Sequence, residues 1–215
     1  MKEALVNFDD NNSSYSENNI TGYIYFTQYT QDCPVTVEVN IGGLPPGRHG
    51  FHIHEYKLQD YHINMIKLGR IPKDLCNELG GHFNPYDTIH GSYEYNTYRH
   101  AGDLINNIEV GITKCVNIKF IDPLISLYKG DINCIIDRSI VIHESPDDEG
   151  LPGLYGLNKI INNNINLQRR NIKSILSFSN SIFKNIVSKL TKKEQESLKT
   201  GNAGKRIACG NINYL

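Results

Sequence analysis

Residues 35–41 alternate strictly: Val35, Val37, Val39 and Ile41 are apolar, and Thr36, Glu38 and Asn40 between them are polar. A side-chain period of two puts one set on each face, so this run predicts a half-buried antiparallel strand. Ile20–Gln28 is rich in Tyr, Ile, Phe and Thr, which suit a pleated surface. Leu5–Asn7, Gly50–His54, Ile112–Asp122, Cys134–His143 and Arg206–Cys209 are further candidate strands. Turn-forming clusters punctuate them at Asp9–Ser14, Gln31–Pro34 and Gly42–Gly47. Short strands split by Gly and Pro turns, with little helical period before residue 160, predict an all-β sandwich or barrel.

Two stretches break that plan. Tyr56–Leu75 and His82–Gly102 are long and irregular, and loops of such length in a compact domain usually carry function. Residues 157–193 depart further. Ile172, Ile175, Leu176, Ile182, Phe183, Ile186, Val187 and Leu190 follow helical i, i+3, i+4, i+7 spacing, which predicts an amphipathic helix. Its charge is one-sided: Lys159, Arg169, Arg170, Lys173, Lys184, Lys189, Lys192 and Lys193 are met by no Asp or Glu.

The whole chain of 215 residues has 22 Lys and Arg against 23 Asp and Glu, a net charge of −1. With eight positive charges in the helical segment, the remainder carries −9, so a basic patch hides within a neutral total. That total does not point to nucleic acid, and the length suits a single domain over residues 1–215. No run reaches the ~18–20 apolar residues of a membrane span. The start, MKEALVNFDDNN, lacks the apolar core of a secretory signal, so a cytoplasmic location is expected. Asn and Ile make up about a quarter of the residues, a bias that fits an AT-rich genome such as that of a large DNA virus and leaves host cytoplasm or virion as the setting. Five cysteines (Cys33, Cys76, Cys115, Cys134, Cys209) lie far apart with no C-x-x-C, which disfavours a zinc ribbon or a thioredoxin-like site.

The chemistry lies in the histidines. His52 and His54, two apart on a predicted strand, project from one face, as two ligands of one metal would. His82, His90, His100 and Asp103 follow, then His143 at the end of an apolar strand. Imidazoles with a single carboxylate suit zinc and copper rather than calcium or magnesium.

All of these but His90 stand in five ordered motifs, the last of which holds Arg206 and Cys209: Gly50–Glu55 (GFHIHE), His82–Pro85 (HFNP), Arg99–Leu104 (RHAGDL), Val141–Glu144 (VIHE) and Gly201–Gly210 (GNAGKRIACG). In this the chain resembles the copper/zinc superoxide dismutases. The resemblance implies an eight-stranded antiparallel Greek-key barrel with two long functional loops, and a reaction that disproportionates superoxide to oxygen and hydrogen peroxide. Residue by residue it implies copper on His52, His54, His82 and His143, and zinc on His82, His90, His100 and Asp103, with His82 as a bridging imidazolate. Four nitrogens suit Cu(II), and three nitrogens with one carboxylate suit redox-silent zinc. It further implies that Asp147 hydrogen-bonds His52 and His90 and that Arg206 attracts and orients the anion. His82 would also carry a proton, Lys199 and Thr200 would lie at the channel lip, and Cys76 would form a disulfide with Cys209. Cys33, Cys115 and Cys134 are then expected as buried or semi-buried thiols. His49 is expected to be structural, and His62 and Asp148 receive no role.

The chain departs from the family at insertions near residues 56–75 and 156–191. The first lies in a subloop that, by the resemblance, helps form a homodimer. Lys57 and Asp137 stand where glycines are expected, Asn211 and Tyr214 replace smaller or apolar tail residues, and Lys57 is expected to pair with Asp137 across an altered interface. The second carries the basic helix, for which packing on the barrel, steering of superoxide, and docking of a partner, acidic lipid or nucleic acid are alternatives. Ser145 replaces a lysine common at the channel rim. A copper-delivery protein and a catalytically reduced interaction protein are alternative functions. His143 and Arg206 are both present and no C-x-x-C transfer segment exists, which weighs against them, and a copper chaperone would be a partner.

Overall fold

The computed structural model describes residues 1–17, 19–70, 75–94, 98–164, 176 and 180–215. Among them are ten strands: β1 (Lys2–Asn7), β2 (Ser14–Ser16), β3 (Thr21–Gln28), β4 (Val35–Gly42), β5 (Gly47–His54), β6 (Asn107–Val110), β7 (Cys115–Asp122), β8 (Ser139–His143), β9 (Arg206–Asn211) and β10 (Asn213–Tyr214). They form two antiparallel sheets, ordered β10-β1-β3-β4-β7 and β2-β9-β8-β5-β6. Besides the excursions to the short strands β2 and β10, the chain changes sheet between β4 and β5, between β6 and β7, and between β7 and β8. As a result β7 pairs with β4, and β8 with β5, the non-sequential pairing of a Greek key.

The alternation in β4 sets its faces. Val35, Val37, Val39 and Ile41 are buried while Thr36, Glu38 and Asn40 turn outward. They meet Ala4, Val6, Ile24 and Phe26 of their own sheet and Phe51, Ile53, Ile140 and Ile142 of the other in the main core. Burying each of the larger side chains contributes roughly 1.5–3 kcal/mol. β5 and β8 differ, because both of their faces are covered. Phe51 and Ile53 enter the core while His52 and His54 lie fully buried on the other side, under the loops.

The expected strands are present with altered ends. Cys134–His143 becomes a strand only from Ser139, since Asp137 has a φ of 63° and turns the chain first. Ile112–Asp122 begins at Cys115, after a turn at Lys114 with a φ of 59°. The ten strands exceed the eight expected by two short pieces, β2 and β10, which add to the sheet edges.

The two insertions hold helices. In the first, α1 (Asp60–Lys67) starts at Gln59, whose backbone N–H donates to Nδ1 of His62. It covers an apolar cluster of Leu58, Ile63, Leu75, Cys76, Leu79, Val141 and Cys209, on the side of β8 and β9 away from the main core. Tyr56–Leu75, read as irregular, is thus partly helical. Eight residues are too few to display a helical period, and Gln59 is not among the usual capping residues.

Among the described residues, the second insertion and its flanks hold three helices where one was expected. α2 (Leu151–Asn162) is followed by α3 (Ser181–Val187), capped by the Asn180 side chain, and α4 (Lys192–Thr200), opened by a Thr191–Glu194 capping box and closed by Gly201. Ile172, Ile175, Arg169, Arg170 and Lys173 lie outside the described residues. The apolar faces of the helices enclose Leu157, Phe183, Ile186, Val187, Leu190 and Leu198 against Ile89 of the long loop, a small second core. Lys159, Lys184, Lys189, Lys192 and Lys193 are exposed.

Candidate metal centre

Strand period and loop stitching bring the histidines together. β5 delivers His52 and His54 to one face, and the loop carrying His82 is pinned beside it. Phe83 N–H donates to the Ile53 carbonyl at 2.8 Å, and Gly102 N–H to the Phe83 carbonyl at 2.8 Å. A side chain at 102 is impossible there, since a Cβ would come within 2.3 Å of the Ile53 oxygen. β8 adds His143, paired with Arg206 of β9 beside a bulge.

Two four-residue groups result, each able to hold a metal ion: His52, His54, His82 and His143, and His82, His90, His100 and Asp103. All seven side chains are buried, and His82 belongs to both groups. Each imidazole has one nitrogen tied to the protein. His52 and His90 direct Nε2 at the Asp147 carboxylate, at 2.6 and 2.9 Å. His54 directs Nδ1 at the Gly80 carbonyl (3.0 Å), His143 Nδ1 at that of Gly204 (3.2 Å), and His100 Nε2 at that of Thr88 (3.1 Å). These acceptors place the ring protons, so the other nitrogens present lone pairs. His52 Nδ1, His54 Nε2, His82 Nε2, His90 Nδ1, His100 Nδ1 and His143 Nε2 are buried with no hydrogen-bond partner.

This is the test of fit for metal. A buried polar atom without a partner costs about 1–3 kcal/mol, so six in one region demand an explanation. Around Asp103 the demand is sharper. Its Oδ1 lies 2.8 Å from His82 Nδ1, 2.9 Å from His90 Nδ1 and 3.0 Å from His100 Nδ1. Lone pairs facing a carboxylate oxygen at such distances repel unless protons or a cation stand between them. Three nitrogens and a carboxylate are a zinc set, and the other group offers four imidazole nitrogens, as copper prefers. The residues fit both ions.

Without metal, burial pushes His54, His82 and His143 below the usual histidine value, His143 to about 3. Burial opposes a charge on His90 as well, but Asp103 and Asp147 outweigh it and raise that ring to about 10. Asp147 itself is held well below the usual carboxylate range, because hydrogen bonds from His52 and His90 outweigh its burial.

Arg206 is fixed from behind. Its guanidinium donates to the carbonyls of Cys76 at 2.9 Å and Gly80 at 2.7 Å. Gly80 therefore accepts from both Arg206 and His54. Cys76 and Cys209 form a disulfide, buried at both ends. Lys199 is exposed at the end of α4, and Thr200 donates to the Glu196 carboxylate at 2.6 Å.

Several residues found here carry no motif. Asn106 donates to the Gly91 carbonyl (2.9 Å) and to Asp147 (3.2 Å), and it has a φ of 62°. Asn107 and the Asp147 backbone exchange two hydrogen bonds. Asp148 accepts from Ser197 and Asn202 and so ties the end of α4 to the site. The one available signal was a pair of asparagines at a turn. His49 directs its two nitrogens at the carbonyls of His143 and Pro45, a structural role as expected. Lys57 pairs with Asp137 within the chain at 2.9 Å. Cys115 is exposed rather than buried, whereas Cys33 and Cys134 are half-buried.

Comparison with known proteins agrees with this geometry. A family profile described as copper/zinc superoxide dismutase matches residues 20–164. A "Superoxide dismutase [Cu-Zn]" of Onchocerca volvulus is 35% identical over 191 residues, covering 89% of this chain and 87% of that protein. "Superoxide dismutase [Cu-Zn] 4" of Dictyostelium discoideum is 39% identical over 62% of this chain and 78% of its own length. "Superoxide dismutase [Cu-Zn] A" of Xenopus laevis is 35% identical over 91% and 90%. Among solved structures, that of the clock protein EA4 superposes with a TM-score of 0.63 at 31% identity, over all of this chain and 95% of that one.

Proposed function

The chain belongs to the copper/zinc superoxide dismutase family, and from that premise we propose how its residues divide the work of dismutation. Copper is assigned to His52, His54, His82 and His143, and zinc to His82, His90, His100 and Asp103. The observation that carries this is the set of six buried, partnerless imidazole nitrogens falling in two groups that share His82. Bound copper would supply a one-electron redox change, with zinc redox-silent beside it.

The protein supplies the rest. Arg206, half-buried and held by loop carbonyls, is a fixed planar cation that draws superoxide in and orients it. His82 holds its Nδ1 toward Asp103 and, with both ions bound, would take up a solvent proton at Nε2 in the half-reaction that releases oxygen. It would give that proton up in the half-reaction that forms hydrogen peroxide, the second proton coming from solvent. Asp147 keeps His52 and His90 in the Nε2–H form, which aims their Nδ1 atoms inward. Lys199 and Thr200 are assigned to the lip of the approach path.

Residues 1–215 are read as one domain with its two insertions, working in the cytoplasm, loaded by a copper chaperone and forming a homodimer through an altered surface. No helix among the described residues is long and apolar enough to cross a membrane. The test is metal analysis and superoxide assay of the wild type and His143→Ala. The wild type should hold both metals and be active, and the variant should lose copper and most of its activity. A copper-loaded wild type without activity would refute the reading.

A further inference from the structure

We propose that the inserted helix α1 positions Arg206, acting through His62 and Glu78 on the short segment whose carbonyls hold the guanidinium. This rests on the role given to Arg206 above. His62 is buried and lies outside both metal groups. Its side chain is 2% exposed, although it lies in a surface insertion.

The geometry is directional. Nδ1 of His62 accepts the Gln59 backbone N–H at 3.0 Å, so the ring proton is at Nε2, which donates to Glu78 Oε2 at 2.9 Å. The hydroxyl of Tyr61 donates to the same oxygen at 2.8 Å, and its ring lies 3.9 Å from that of His62. Glu78 sits in the 3-10 turn Leu75–Leu79, between Cys76 and Gly80, the two residues whose carbonyls accept most closely from Arg206. Its carboxylate is thus gripped by α1 while the carbonyls on either side grip the arginine. Two donors on one oxygen hold Glu78 below the usual carboxylate range, so the grip is charge-assisted.

Helix α1 is itself fixed to the barrel. Asn211 of β9 accepts the Leu58 N–H at 2.7 Å and donates to the Leu58 carbonyl at 3.0 Å, and Leu58 and Ile63 pack on Cys76 and Cys209. The turn is therefore held by the disulfide at one end, by α1 in the middle, and by the Tyr56 N–H on the Leu79 carbonyl at the other. Without the middle contact, the carbonyls that aim Arg206 gain freedom between two fixed ends. His62 and Glu78 are positioning residues in this account.

The test uses Glu78→Ala, Glu78→Gln and His62→Ala in copper- and zinc-loaded protein, with azide as the anion probe. Glu78→Ala and His62→Ala should weaken azide binding about threefold at unchanged copper content, the size expected for a charge-assisted bond at a half-exposed acceptor. Glu78→Gln keeps an accepting oxygen but loses the charge, and should fall between wild type and Glu78→Ala. Loss of stability alone would lower the melting temperature without moving azide affinity in the folded protein. Wild-type azide affinity in both alanine variants would overturn the proposal, and so would equal losses in Glu78→Gln and Glu78→Ala. A second readout needs no metal: in the metal-free protein, dithiothreitol should reduce Cys76–Cys209 several-fold faster in both alanine variants. If the loaded wild type proves inactive, the dismutase reading fails, and the reduction rates alone then decide whether α1 clamps the turn.

Discussion

Five of the six imidazoles direct one nitrogen at an acceptor outside the metal groups and turn the other inward, His82 alone facing Asp103 instead, and Asp147 serves two of the five, one from each metal group. Its loss would free both rings to rotate and to change tautomer. Asp147→Ala should lower zinc affinity about 10- to 100-fold, measured by competition with a chelator. Wild-type affinity in that variant would remove its orienting role. The same rings set the pH response of the metal-free protein. His54, His82 and His143 are held below the unfolded value of about 6.5, so as pH falls the unfolded chain takes up protons that the folded one refuses. Stability is lost from about pH 6.5 toward 3, by up to ~1.4 kcal/mol per pH unit for each ring. His90 acts oppositely: raised to about 10, it contributes below pH 6.5 and loses that contribution as pH rises through 10. Urea unfolding of the metal-free protein should therefore be most resistant near pH 6.5, and metal loading should flatten the acid limb. A midpoint as high at pH 5 as at pH 6.5 would contradict this.

Among the elements, the helical insertion raised the widest choice of roles. Its described parts close on themselves around Phe183, which is fully buried, while the lysines face solvent. Gly153 and Gly156 let α2 lie directly on α4, for a Cβ at 153 would be 2.4 Å from Leu198. Phe183→Ala should destabilise this unit by about 3–5 kcal/mol. Hydrogen exchange should then quicken in α2, α3 and α4 while β3 and β4 keep their protection. Uniform acceleration across the sheets would mean that the helices and the barrel unfold together. α4 also touches the site, since the His90 N–H donates to the Leu198 carbonyl at 2.8 Å.

For the whole molecule, the Lys57–Asp137 contact bears on assembly. The pair lies within one chain, is half-exposed, and is joined by Lys129 at 3.3 Å. Exposed pairs of this kind contribute about 0–1 kcal/mol. Asp137→Ala should thus leave the sedimentation coefficient at a given protein concentration unchanged, and a shift in it would show that the aspartate also reaches a second copy.

How much could be read from the chain alone depended on how local the cause was. Alternation in Val35–Ile41 determined a strand and its buried face, because a period of two is a property of the backbone. His52 and His54 declared a shared face for the same reason, and five ordered motifs pointed to the family and, with His90 and Cys76 standing outside them, to the residues assigned to the two metal groups, Arg206 and the disulfide. Asn106, Asp148, Gly80 and His62 were silent: each acts through a contact with a residue distant in sequence, and a carbonyl such as that of Gly80 leaves no trace in residue type. Helix α1 was hidden by its shortness, and the contact of Lys57 with Asp137 of its own chain was not foreseen. Only tertiary packing decides which of two distant partners a surface charge meets, since sequence records the charge but not the distance.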